Sequence, residues 1–234
     1  MKNIVRGAFA AAAIAAAVPA VAADLPTAKG PAIAPTYMEA FDPFMIRIRG
    51  VAVIPDGKGR VDGTTIGVKA NNSFIPELDL TYFFTKNIAI EAICCVSPHN
   101  VKADGLGTVG RTIVFPPTVM LQYHFTDFGA FKPYVGVGVN YTHYFDSKAK
   151  GALAGTNLKI DDSWGVAGQV GFDYMINRNW GINVDVKRIL MEPNFAYSVA
   201  GVPVVTGKAK INPWIIGAGI TYRFGGPSAV VAKY

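Results

Sequence analysis

Strict alternation of apolar and polar side chains, recurring in eight separate segments, constrains this chain more than any other feature of its sequence. Successive side chains of a β-strand point to opposite faces, so a period of two marks strands that stand between two unlike environments. From Phe44 to Ile54, Phe44, Ile46, Ile48, Gly50, Ala52 and Ile54 share one face, and Met45, Arg47, Arg49, Val51 and Val53 share the other. The pattern returns in segments 74–84, 88–97, 117–125, 134–145, 163–176, 180–187 and 214–224. Each segment is near the roughly 9–11 residues with which a tilted strand crosses a bilayer. Connections alternate in length: 85–87, 126–130 and 177–179 are short, whereas 55–73, 98–116, 146–162 and 188–210 are long and rich in Gly, Asp and Lys. Short turns on one rim and long loops on the other predict an all-β fold, an eight-stranded antiparallel up-and-down transmembrane β-barrel. An even strand count puts both ends of the barrel on the short-turn rim.

The same alternation also fits a soluble eight-stranded barrel whose apolar face encloses a ligand. Side-chain size separates the two. The face that carries Asp, Glu, Arg, Asn and Gln also carries Gly136, Gly138, Gly171, Gly217 and Gly219, which suits a crowded lumen. The opposite face is Val, Ile and Leu, with aromatics near the strand ends: Tyr82, Phe84, Tyr123, Phe125, Trp164, Tyr174, Trp180, Trp214, Tyr222 and Phe224. Aromatics at strand ends form the interfacial girdles of a membrane barrel. Composition agrees, with charged residues at 16%, hydrophobic residues at 51% and a mean hydropathy of +0.29. Past the first residues, no stretch is long and apolar enough to be a spanning helix.

Those first residues predict the compartment. Lys2 and Arg6, the apolar run Ala8 to Val18, and the small residues Ala20-Val21-Ala22-Ala23 make 1–23 a cleaved secretory signal peptide. Residues 24–43, with Pro26, Pro31, Pro35 and Pro43, read as a periplasmic N-terminal arm. The barrel occupies 44–224, and 225–234 form a C-terminal tail. The expected location is the bacterial outer membrane. Cys94 and Cys95 are adjacent, so in a strand they point apart; they read as two small hydrophobes rather than a disulfide.

The predicted inward charges are Arg47, Arg49, Lys187 and Arg223 against Glu77, Asp79, Glu91, Asp173 and Asp185. They either pair across the lumen and fill it or line a narrow route; eight strands leave space for little beyond side chains or one small ligand. Ile93, Met120 and Ile215 are candidates for an apolar constriction, with packing near one rim as the alternative. Phe195, Tyr197, Val199, Val202 and Val204 are unusually apolar for a loop, and suggest a vestibule or strands that continue past the membrane. The long loops carry Lys58, Arg60, Lys69, Lys102, Arg111, Lys148, Lys150, Lys159, Lys208 and Lys210, suited to anionic outer-leaflet headgroups or simply to water. Nucleic acid is not an expected partner of an exported barrel. Ser147, His143 and Asp146 lie close in sequence, but a nucleophilic triad is defined by geometry; no cofactor, metal site or enzymatic activity is expected.

Several runs resemble the OmpW family of outer-membrane proteins: Pro116-Pro117-Thr118, Tyr134-Val135-Gly136-Val137-Gly138-Val139-Asn140-Tyr141, Asp162-Ser163-Trp164-Gly165-Val166-Ala167-Gly168-Gln169-Val170-Gly171, Asp173-Tyr174 and Ile176-Asn177-Arg178. A looser likeness runs from Phe44 to Phe224. The closing stretch, Ala218 to Phe224, resembles the terminal strand that barrel-assembly machinery reads. The resemblance implies a narrow barrel acting as a passive, porin-like channel for small hydrophobic solutes. A closed structural or receptor barrel acting through its loops is the alternative. The chain departs from the family pattern in continuing past Phe224, and in carrying Lys187 where relatives have an inward tryptophan.

Overall fold

The computed structural model describes residues 42–57 and 59–226. The expected signal peptide, residues 24–41 of the arm, Lys58 and tail residues 227–234 lie outside them. Fifteen strands follow in chain order: β1 (Phe44–Ile54), β2 (Gly59–Val61), β3 (Gly67–Ala70), β4 (Ser73–Phe83), β5 (Ile88–Cys94), β6 (Ser97–Ala103), β7 (Gly107–Phe115), β8 (Thr118–His124), β9 (Phe131–Ala149), β10 (Asn157–Ile160), β11 (Ser163–Met175), β12 (Trp180–Leu190), β13 (Asn194–Val199), β14 (Val202–Ala209) and β15 (Trp214–Phe224).

Eight of these close into a ring, β1-β4-β5-β8-β9-β11-β12-β15, with each neighbour antiparallel. The last strand returns to the first, from Phe44 opposite Phe224 to Ile54 opposite Trp214. Ring closure pairs the backbone groups that lipid leaves without partners, which is why the chain spans with strands. Alternation sets the two faces. In β4, Ile75, Glu77, Asp79, Thr81 and Phe83 are buried, while Phe74, Leu78, Leu80 and Tyr82 are exposed. Around the ring the exposed face is a belt of Ile48, Leu121, Val137, Val166, Val170, Ile182 and Ile220, and all ten predicted girdle aromatics point outward with it. An apolar surface this large suits acyl chains and not water. The charged face is the enclosed one, which excludes the soluble barrel with an apolar core.

The long connections are not loops. β2 and β3, β6 and β7, the upper part of β9 with β10, and β13 with β14 extend the wall as a second sheet in the order β9-β7-β6-β3-β2-β14-β13-β10. Above the membrane the outer surroundings change from lipid to water, so the alternation inverts: Lys, Asn and Arg point out, and Val68, Val109, Leu158, Phe195 and Tyr197 pack inside. Segments rich in Gly, Asp and Lys look like loops only to a search for apolar outer faces. Val199, Val202 and Val204 stay exposed at the β13–β14 turn.

Candidate functional site

The same inversion stacks three layers inside the barrel. In the membrane the inner face is polar, and there it forms an ionic floor. Arg47 Nη1 lies 2.7 Å from Glu91, and its Nη2 lies 2.7 Å from Asp173. Arg49 reaches Asp79 at 2.6 Å, Glu77 at 3.0 Å and Asp185 at 3.2 Å. Lys187 donates to Glu77 at 3.0 Å and to Asp185 at 2.8 Å. Gln122 and Gln169 donate to Glu91, and Gln169 also donates to Asp185, which links the arginine and lysine halves. Thr221 on β15 donates to Asp173. These eight charged side chains are 0–2% exposed; a lumen open at this level would wet them. Buried charges are tolerable only when paired in this way.

Arg223 is the exception among the nine predicted lumen charges. It is half-buried at the short-turn rim, with its guanidinium 4.2 Å from the centre of the Phe83 ring, and it donates to the Asp42 carbonyl oxygen. Its strand reaches the rim there, too far down to join the floor, so three cations rather than four meet five carboxylates. Beneath the floor lies an aromatic layer of Phe83, His124 and Tyr134, with ring centroids 4.8 Å apart along the row; alternation places His124 inward, but Phe83 and Tyr134 are not expected there from the sequence. Tyr134 sits under Arg47 and accepts a hydrogen bond from Asn183. A Cβ at Gly171 would lie 2.6 Å from the Tyr134 hydroxyl, so that glycine makes room for the ring. Parity alone marks both aromatics, since Phe83 is two residues beyond Thr81 and Tyr134 two before Gly136.

Above the floor the interior turns apolar. Ile93 and Met120 pack with Val51 and Ala167 into a layer resting on the ions. Ile215 belongs to the same cluster and, with Val53, Ile75, Ile189 and Met191, lines the base of a chamber. Val68, Leu158, Phe195 and Tyr197 carry its wall upward. The chamber has a cavity volume of about 100 Å³ and opens to solvent. Tyr197 donates to the Val109 carbonyl oxygen; burial pushes its hydroxyl up to about 12, so it remains a neutral donor.

One side of the chamber wall is unzipped. The β4–β5 ladder runs from Phe83 opposite Ala89 to Leu78 opposite Cys94 and stops. Pairing resumes where Asn71 donates to Asn100 and Ala70 faces Val101. Between them, Ser73–Glu77 and residues 95–99 form no ladder with each other among the described residues. Pro76 and Pro98, one on each side, lack the N–H that a ladder requires. On the other flank, Cys95 and Val96 face Pro116 and Phe115, again without pairing, as the ladder skips from Ile93–Thr118 to Ser97–Val114. His99 spans the top of the seam: its Nδ1 donates to the Asn71 carbonyl oxygen at 2.9 Å, and its Nε2 accepts from Ser97 at 2.8 Å. Burial holds its pKa below the usual imidazole value, the Asn71 hydrogen bond opposing weakly. Cys95 looks into the chamber and Cys94 out of the barrel, both as free thiols.

The Ser147, His143 and Asp146 trio is not assembled. His143 pairs with Asp162 at 2.9 Å, Ser147 bonds inward to Thr112, and Asp146 pairs with Lys148.

Comparison with known proteins agrees with this architecture. A family model described as OmpW family matches residues 42–224. An uncharacterised outer-membrane protein of Sinorhizobium fredii is 46% identical over 185 residues, covering 78% of this chain and 80% of the relative. Outer membrane protein W of Vibrio cholerae is 36% identical, covering 82% and 93% respectively. The crystal structure of the outer membrane protein OprG from Pseudomonas aeruginosa superposes with a TM-score of 0.72 at 30% identity, over 79% of this chain and 97% of that one. With a closed eight-stranded ring, a greasy exterior and a family match spanning the whole barrel, this chain belongs to the OmpW family of outer-membrane proteins.

Proposed function

We propose that the barrel is a passive entry route for small hydrophobic solutes, which enter the chamber from outside and leave sideways through the β4–β6 seam into the outer leaflet. One observation carries this reading: the apolar chamber ends on a floor of fully buried ion pairs. An apolar solute that reached the floor would have to displace paired buried charges at a cost of several kcal/mol. The seam offers a cheaper way out, because no ladder hydrogen bonds need break to part it. Its lipid-side residues, Phe74, Pro76, Val96 and Pro98, are apolar. The process needs no cofactor or energy source, since transfer from water to acyl chains is downhill.

A bare phospholipid bilayer already passes such solutes, so the assay needs an intact polysaccharide coat. Initial uptake of a radiolabelled hydrocarbon by whole cells should rise with expression of the protein. Ala209→Trp, which puts a ring into the chamber without touching the floor, should lower that rate several-fold, with the barrel still heat-modifiable on gels. No rise over empty-vector cells would leave the closed receptor barrel as the better account.

A further inference from the structure

On the outer surface of the extracellular extension, β3, β6, β7 and the end of β9 put cations directly against cations. Lys69 stands opposite Lys102, and Arg111 opposite Lys148. Like charges facing each other across a ladder destabilise it, so sequence and register here work against folding unless something anionic sits over them. Asp146 answers only Lys148, at 2.8 Å, and lies near Arg111. Lys69, Lys102, Arg111 and Lys150 have no acidic partner within 4 Å among the described residues. Elsewhere on the extension Lys159 pairs with Asp161, Arg188 with Asp56 and Lys210 with Glu192, and one further opposed pair, Arg60 and Lys208, stands on β2 and β14.

The chemistry directly below the cations narrows the ligand. Going down each strand, outward side chains change from cationic to apolar within about 7 to 17 Å. Lys69 leads to Phe74, Lys102 to Pro98, Arg111 to Ile113 and Phe115, and Lys148 to Phe145. A shallow groove on this face is lined by Asn71, Asn72, Phe74, Asn100, Arg111 and Lys150. Phe74 is 77% exposed beside it, an aromatic plane without a protein partner on its outer side. A soluble anion would use the cations and ignore the ring; an uncharged acyl chain would do the reverse. Only an amphiphile with a phosphate joined to acyl chains uses both.

We propose that this groove binds a phosphorylated lipid of the outer leaflet, with its phosphate held by Arg111 and Lys150, Lys102 adding charge on the same face two residues beyond Asn100, and an acyl chain lying over Phe74. Arginine and lysine donate charge-assisted hydrogen bonds to phosphate oxygens, and Asn72 and Asn100 add neutral donors beside them. The site does not need the transport reading, although Phe74 and Pro98 border both the groove and the seam.

The test uses full-length protein in phosphatidylcholine nanodiscs, with bound lipid counted by native mass spectrometry. Bisphosphorylated lipid A should be retained, and the same lipid stripped of phosphate should not. Lys102→Gln/Arg111→Gln should weaken retention about tenfold. Arg60→Gln/Lys208→Gln removes the same charge from another opposed pair, on β2 and β14, that lacks the groove and the aromatic. That variant should stay within about twofold of the parent protein. Equal losses in the two variants would mean diffuse attraction and overturn the site. Retention of the dephosphorylated lipid, or displacement of lipid A by inorganic phosphate, would overturn it as well.

Discussion

Arg47 holds two carboxylates, Glu91 and Asp173, in a place water does not reach, and that fixes what its loss would do. Removing one member of a buried pair leaves the other charge uncompensated, typically at about 3–5 kcal/mol. Arg47→Met should therefore destabilise the barrel by about that amount in urea unfolding from lipid vesicles. Adding Asp173→Asn should recover part of the loss; a single variant within about 1 kcal/mol of the parent would mean the floor is not a paired network. At this scale most of the site was legible in the sequence, because parity assigns Arg47, Glu77, Asp79, Glu91, Asp185 and Lys187 to one face. Parity does not give height along the barrel. Arg223 shares the face but sits at the rim, and Phe83 and Tyr134, which share it too, were hidden by the rule that aromatics at strand ends face lipid.

Among the elements, the seam between β4 and β6 is held at its top by the His99 tie to Asn71. The imidazole faces the Ser97 hydroxyl and the Asn71 carbonyl, with Arg111 and Lys150 across the adjoining groove. Folding lowers its pKa from 6.5, so below that pH the unfolded state binds more protons than the folded one. The stability His99 contributes is thus complete above 6.5 and is lost as the pH falls from there toward the folded value. Amide exchange in residues 71–74 and 96–100, corrected for its intrinsic rate, should accelerate as the pH falls below 6.5. His99→Gln should remove that dependence; an unchanged profile in the variant would show that the tie does not govern the seam. The spanning strands are legible from their apolar outer faces, and the apolar residues of β13 and β14 point to strands past the membrane as one alternative, whereas β6 and β7 pass for loops because water, not lipid, surrounds them. Pro76 and Pro98 were visible in the sequence, but their effect depends on a strand pairing that only the folded register shows.

Over the whole molecule, one rule of alternation meeting two outer solvents produces a barrel that is polar inside at the bottom and apolar inside at the top. A chamber with a sealed floor and an unzipped side follows from that. The most direct test closes the side and leaves the ionic floor alone; because Ile75, Cys95 and Ser97 also line the chamber, the reduced form of the same variant is the reference. Continuing the β4–β5 register three steps beyond Leu78–Cys94 brings Ile75 opposite Ser97, both buried and both inward. In a Cys94→Ala/Cys95→Ala background, Ile75→Cys and Ser97→Cys should form a disulfide across the seam. Hydrocarbon uptake by coated cells should then stop under oxidising conditions and return on reduction, while uptake by the background protein ignores the redox state. Uptake that continues with the seam covalently closed would contradict the sideways route.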